Sequence, residues 1–343
     1  MHFDVMTRAD SWQNVATFAR DVERVGISGL LFTEAGQVPW MMIAAAAQAA
    51  PSLHHSTGIA VAFPRSPMIS AQIAWELASN TKGKFRLGLG SQVKPHIERR
   101  YGVTFEQPAK RMRDYMLAVK ASIQAFRGNE RLDHNGPFYK LNLLTPQWSP
   151  PRHDYENIKI DMSAVNPLML KVTGEVADGL HVHPMHSMPY IKNRVLPALK
   201  EGAQSAGRNL SDIDLIIPVL AVPGDSPEEQ ADMAKEAKTA IGFYGSTPVY
   251  AFQFDDLGYE GVRLKLAETL RSGGREALAA EVSDELLDQF GLVARWDDMA
   301  DKLIDRYNGI ASRVVMYLAK PSILKNPKNL EKWGEIARAV QAA

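Results

Sequence analysis

The sequence predicts an α/β protein whose strand–helix units close into a (β/α)₈ TIM barrel, with a long helical insertion between strands seven and eight. Three observations predict it. Strand-like and helix-like runs alternate with turn-length links, eight times over. The run at 85–90 carries Phe85, Leu87 and Leu89, with Gly88 and Gly90 baring the backbone at its end, the pattern of a strand buried in a parallel sheet. The chain of 343 residues exceeds a usual single core, and α/β barrels are the class that reaches this length as one domain. We therefore expect one domain over 1–343, with insertions at about 127–157 and 224–311.

Taken in order, 3–6 is a short first strand, and Ser11 caps a helix whose Val15, Phe18, Val22 and Val25 recur at helical spacing until Gly26 ends it. A second strand spans 29–34, and Pro39 opens an Ala-rich second helix. The third strand covers 56–63 and the third helix 70–79; the fourth strand, 85–90, precedes a helix at 108–126. The rhythm breaks at 136–144, which reads as a small hairpin, and at Pro146, Pro150 and Pro151, a proline-rich loop. It resumes with a strand at 158–162, a helix at 167–177, a sixth strand at 179–183 and a helix at 189–206. Strand seven covers 214–222 and strand eight 312–319. Between them we expect helices at 228–240, 264–270, 276–282, 284–290 and 297–307, with an aromatic stretch holding Phe243, Tyr244, Tyr250 and Phe252. Loops at the C-terminal strand ends build a barrel's active site, so an insertion there is placed to cover it.

Composition narrows the function. Apolar residues make up 45% and charged residues 23%, as in an ordinary globule. Lys plus Arg and Asp plus Glu both number 39, so no global field draws the chain to nucleic acid or a membrane. The absence of cysteine excludes disulfides, thiolate catalysis and Cys-ligated metals. No export signal opens the sequence, and the apolar run at 41–50 is too short to span a bilayer. A cytoplasmic protein that binds neither nucleic acid nor a membrane is expected.

The stretch 84–101 carries the chemistry. Gly90 lets a ligand lie against the main chain, and Ser91, Gln92, Lys94, His96, Arg99 and Arg100 follow before Tyr101. Pro95 suits the first turn of a helix on which His96 and Arg99 or Arg100 share a face. This is the profile of a pocket rim that accepts an anion and an aromatic ring. Taken alone, Gly88-x-Gly90 better fits a tight strand exit with a solvated basic helix behind it. It is not the dinucleotide fingerprint, since position 93 is Val, and no Gly-Lys-Ser/Thr phosphate loop occurs in the chain.

The stretch 85–101, with Ala62-Phe63-Pro64-Arg65-Ser66-Pro67 upstream and Gly174-Glu175-Val176-Ala177-Asp178-Gly179 downstream, resembles the bacterial-luciferase-like superfamily. Within it the chain looks like the branch of oxidoreductases that use a deazaflavin, coenzyme F420. The similarity runs from about 3 to about 320. It implies a barrel that binds the cofactor without covalent attachment and moves a hydride between it and an organic substrate, as a homodimer. The alternative is a monooxygenase using flavin mononucleotide (FMN), with a separate reductase supplying reduced cofactor. A non-catalytic flavin-binding relative is a third reading, which the aromatic stretch under the insertion argues against.

The resemblance also implies a site. At the end of strand three, Ala62, Phe63 and Arg65 would lie behind the middle flavin ring, with a non-proline cis peptide near Ala62 and Phe63. Strand four would add Gly90, Ser91, Gln92, Lys94, His96 and Arg100. After strand five, Ser163, Ala164, Val165 and Asn166 would grip a phosphate at the N-terminus of the helix opened by Pro167, where the family usually has Gly-Pro. Ser163 and Asn166 also read as a plain helix cap. Glu34 matches the acid that ends the family's strand two and is the first catalytic candidate, although an acid there also serves as a helix cap. Ala35 follows it where one sugar-phosphate branch has His, so that branch's substrate is not implied.

His181, His183 and His186 form a cluster in which the first two point the same way on a strand. No third ligand can be placed beside them, and in the family strand six borders the flavin without a metal, so no metal is expected. His183 is the second catalytic candidate, as pocket wall or acid/base. His54 and His55 are expected at the surface, ahead of strand three. Lys94, Arg99, Arg100, Lys110 and Arg111 form a basic rim that suits a deazaflavin's phosphodiester and polyglutamate tail, although Glu98, Glu106 and Asp114 beside them also fit a solvated helix face.

Overall fold

The computed structural model describes residues 1–8 and 10–343. Its strands are β1 His2–Thr7, β2 Gly29–Phe32, β3 His54–Thr57, β4 Ala60–Val61, β5 Phe85–Gly90, β6 His134–Asn135, β7 Lys140–Leu141, β8 Lys159–Ser163, β9 Gly179–His181, β10 Asp214–Pro223, β11 Gly291–Ala294 and β12 Arg313–Met316. Parallel pairing runs β1, β2, β3, β5, β8, β9, β10, β12 and returns to β1, so eight strand positions close a TIM barrel. The short β4 extends the third position beside β5, and β11 adds to the outside of β10.

Local chemistry explains the helices between these strands. Ser11 caps Trp12–Arg24 by accepting from the Asn14 N–H, and Gly26, at φ +83°, takes the left-handed turn that releases the chain to β2. Pro67, Pro108 and Pro167 each open a helix, where the missing N–H costs nothing.

Alternation along the strands makes two apolar regions. Phe3, Val5, Leu30 and Phe32 face outward and pack with the helix layer around Trp75, Phe126 and Trp333. Met6, Leu31, Ile216 and Val315, from four neighbouring strand positions, form a separate cluster in the barrel interior. Full burial of such a side chain contributes about 1.5–3 kcal/mol, so both layers hold the barrel. Beneath the inner cluster lie buried charges. Arg313 Nε donates to Asp4 at 2.6 Å, and Arg86 bridges Asp161 at 2.7 Å and Asp214 at 2.7 Å. Although burial opposes it, the Arg86 charge holds the Asp161 carboxyl well below the usual carboxylate range. These pairs fill the N-terminal end of the barrel and leave the C-terminal end for chemistry.

Four expectations need correction. Strand three is not continuous over 56–63: it breaks at a cis Gly58–Ile59 peptide, four residues before the position expected for one. A Cβ on Gly58 would lie 2.3 Å from Leu31, so only glycine fits there. His54 and His55 open β3 rather than preceding it; His55 is 1% exposed and lies near the Phe32 ring. The hairpin pairs only 134–135 with 140–141, pinned by Asp114, which accepts from the Phe138 and Tyr139 N–H groups and bonds His134. The insertion, expected to be helical, carries helical segments but also a strand, β11.

Candidate active site

At the C-terminal strand ends, Gly90 closes β5 with its backbone bare. A Cβ there would stand 2.6 Å from Ser163 Oγ and 2.7 Å from Ile59 Cδ1, so the ends of strand positions three, four and five converge on this glycine. The Ala62 N–H donates to the Gly90 carbonyl at 2.9 Å. Gln92, at φ +59°, turns the chain in the left-handed region, and its Oε1 accepts from the Val93 N–H. Ser91 donates to the Gln92 carbonyl.

Glu34 is brought to this cluster in an ion pair. Its Oε2 accepts from the Val61 N–H at 2.7 Å and from Arg65 Nη1 at 2.8 Å, and its Oε1 accepts from Arg65 Nη2 at 2.5 Å. Arg65 also donates to the Val61 carbonyl and lies over the Trp40 ring. Burial opposes the Arg65 charge, yet the bonds to Glu34 raise its pKa above the ordinary value. Both carboxylate oxygens are thus occupied in holding the end of strand three.

After β8, the helix Pro167–Val176 begins without a side-chain cap, since Asn166 makes no capping bond. Its first N–H groups lack the partner that a capping side chain supplies, the condition for an anion site at a helix N-terminus. Ala164 is buried, and the Val165 carbonyl accepts from Tyr190 Oη at 2.8 Å, which fixes the approach to that helix. Gly90 lets Ser163 and Ile59 close on the main chain, and the uncapped helix beside them suits an anion such as a phosphate.

His183 lies beyond the last residue of β9, half-buried beneath the insertion. Tyr250 packs 4.3 Å from its ring and Tyr244 meets it edge-on at 4.7 Å. Burial pushes its pKa down to about 4, so it is uncharged near neutral pH. Its companions go elsewhere. His186 bonds the His183 carbonyl at 2.9 Å and Tyr307 Oη at 3.3 Å, whereas His181 sits in the barrel 3.5 Å from Asp161. Among the described residues no group of three or more His, Cys, Asp or Glu is placed to hold a metal ion.

The rim is more engaged than its charge suggested. Lys94 and His96 stand exposed on the helix Lys94–Arg99, with Lys94 3.8 Å from Glu98. Arg100 donates to the Ala35 carbonyl. Arg111 lies 4.4 Å over the buried Phe63 ring and donates to Tyr139, so this pair builds a wall. Sequence reasoning missed Ile59, Tyr190 and Tyr317. Tyr317 follows β12, and its pKa is raised by burial, with Tyr244 nearby; the end of strand eight was the signal that could have found it. No helix among the described residues is long and apolar enough to cross a membrane.

The family model described as luciferase-like monooxygenase matches residues 1–313. An uncharacterised protein of Mycobacterium tuberculosis is 34% identical over 294 residues, covering 86% of each chain. Among solved structures, the coenzyme F420-dependent tetrahydromethanopterin reductase of Methanopyrus kandleri superposes with a TM-score of 0.80 at 20% identity over 97% of both chains. The FMN-bound oxygenating constituent of 3,6-diketocamphane monooxygenase from Pseudomonas putida gives 0.68 at 16% identity, over 99% of this chain and 98% of that one. With the barrel, the cradle at Gly90 and the covered mouth, the match across most of its length means that the chain is an oxidoreductase and belongs to the luciferase-like monooxygenase family.

Proposed function

We propose that this oxidoreductase uses a deazaflavin, coenzyme F420, and moves a hydride between it and a small organic substrate. The observation that carries the reading is the uncapped helix N-terminus at Asn166 and Pro167 beside the bare backbone of Gly90, with Arg99 and Arg100 on the outer rim. A bound deazaflavin supplies two-electron hydride chemistry and reacts little with oxygen. The protein's part is placement. Gly90, without a side chain, brings Ser163 and Ile59 up to the main chain at the end of β5, and the N–H groups after Asn166 with the Ser163 hydroxyl offer donors to a phosphate. Glu34 and Arg65 hold the end of strand three as a fixed support. Tyr244 and Tyr250 keep water from the far side of the mouth, and His183 there offers an uncharged imidazole to a substrate oxygen.

The FMN-bound relative supports a second reading, a monooxygenase supplied by a separate reductase. Titrating the purified protein with each cofactor separates the two. The first reading expects tighter binding of the deazaflavin, increasing with the length of its glutamate tail, because each added carboxylate meets the basic rim. Equal or tighter binding of FMN overturns it in favour of the second.

A further inference from the structure

The loop after β9 presents an unresolved competition at His183. Met185 offers two groups to the imidazole Nδ1, its N–H at 3.1 Å and its carbonyl at 3.3 Å. They demand opposite states: the N–H needs a bare Nδ1, the carbonyl an Nδ1 that carries hydrogen. The contest is settled from the insertion. Gln253, 0% exposed, donates its Nε2 to the Met185 carbonyl at 2.7 Å. Satisfied by this shorter bond, the carbonyl does not need a proton on Nδ1. The Met185 N–H, which has no other acceptor among the described residues, needs Nδ1 bare, and the imidazole therefore accepts from it. We propose that Gln253 is a positioning residue for His183, whose amide, by occupying the Met185 carbonyl, holds the imidazole as the tautomer with its proton on Nε2.

The surroundings support this assignment. The Gln253 Oε1 is buried and has no partner among the described residues. Reversing the amide would set that oxygen against the Met185 carbonyl, acceptor against acceptor, so the side chain leaves its own oxygen unpaired to satisfy the loop. The backbone under Gln253 is fixed as well: Arg194 grips Asp256 at 2.5 Å and lies 5.0 Å over the Phe252 ring. His186 does not compete, since its ring is spent on the His183 carbonyl and Tyr307. With Nδ1 committed to its own loop, Nε2–H lies on the opposite edge of the ring and serves as a donor. Its ligand is then a hydrogen-bond acceptor such as a carbonyl or hydroxyl oxygen. This consequence rests on the reading of His183 as a chamber wall; the tautomer does not.

The test is nitrogen NMR on protein labelled at histidine, with the His183 signals assigned by their loss in His183→Gln. Near pH 7.5 the wild type is expected to show Nε2–H and a bare Nδ1. In Gln253→Leu the proton should move to Nδ1 as the majority species, while Tyr250→Leu, which alters packing but not this bond, should leave it on Nε2. Gln253→Met takes the place of the Leu variant if that fails to fold. A wild-type majority of Nδ1–H, or an unchanged Nε2–H in a folded Gln253 variant, overturns the proposal. Cofactor titration of the same samples keeps this outcome apart from the fate of the deazaflavin reading, because the tautomer is read without cofactor.

Discussion

Glu34 and Arg65 meet in a two-point ion pair at the mouth of the barrel, with side-chain exposures of 3% and 15%. The carboxylate also caps the Val61 N–H, so one side chain ties the end of β2 to β4 and to the turn behind it. A buried pair of this kind is strongly disrupted when one partner is removed, because the other is left charged and unpaired.

Glu34→Ala should therefore lower unfolding stability by about 3 kcal/mol, read as a shift in the urea midpoint. Glu34→Gln should lose part of that stability yet change single-turnover hydride transfer by much less than the roughly 10²-fold typical of a positioned acid or base. A folded Glu34→Gln variant slowed by that factor or more would return Glu34 to a proton-transfer role.

Gly90→Val should abolish cofactor binding. Its side chain would occupy the space beside Ser163 and Ile59, where even one methyl lies within 2.7 Å of both. Binding is read by fluorescence titration and the fold by circular dichroism; normal binding by a folded variant would remove Gly90 from the site.

Arg99→Ala should weaken deazaflavin binding at low ionic strength and make little difference near 1 M salt, where the screening length falls to about 3 Å. A loss of affinity that persists undiminished in salt would mean a desolvated contact instead of an exposed rim charge.

Acid should destabilise the fold between about pH 6.5 and 4. Burial pushes His55 and His186 down to about 4 from an ordinary 6.5. In that window the unfolded chain takes up protons that the fold refuses, so stability is full above 6.5 and falls with pH, by at most about 3 kcal/mol per imidazole. His55 has both ring nitrogens buried, with no partner among the described residues. His55→Phe should accordingly raise stability at pH 7 by about 1–3 kcal/mol and flatten the acid slope. Urea midpoints at pH 7.5, 6 and 5 check both expectations, and an unchanged slope would contradict the assignment of His55.

The barrel was legible because strand and helix periods differ, and eight alternations leave few other ways to bury both faces of a parallel sheet. The places of Gly90 and Ser163 at strand ends and of Asn166 before a helix were legible because strand ends and helix starts are marked by glycine and proline. The break at Gly58 was not, since it depends on how closely Leu31 approaches from the neighbouring strand. Gln253 gave no signal at all: nothing in its local pattern says that a residue of the insertion reaches a carbonyl 68 positions earlier. β11 was missed because four residues, Gly291–Ala294, form a strand only by borrowing the free edge of β10.

That borrowed edge has a consequence for how such enzymes diversify. β10 runs from Asp214 to Pro223; residues 214–219 pair within the barrel, whereas 220–223 pair with β11. The Gly224 N–H donates to the Ala294 carbonyl, and Gln230 Nε2 bonds both the Gly224 and the Ala294 carbonyls at 2.9 Å. Departure and return of the insertion are thus sewn side by side. The segment between those stitches, 231–290, carries Tyr244, Tyr250 and Gln253, and replacing it leaves Gln230 and the residues around Gly90 in place. On the proposed reading, the residues that cover His183 and those around Gly90 can then vary independently.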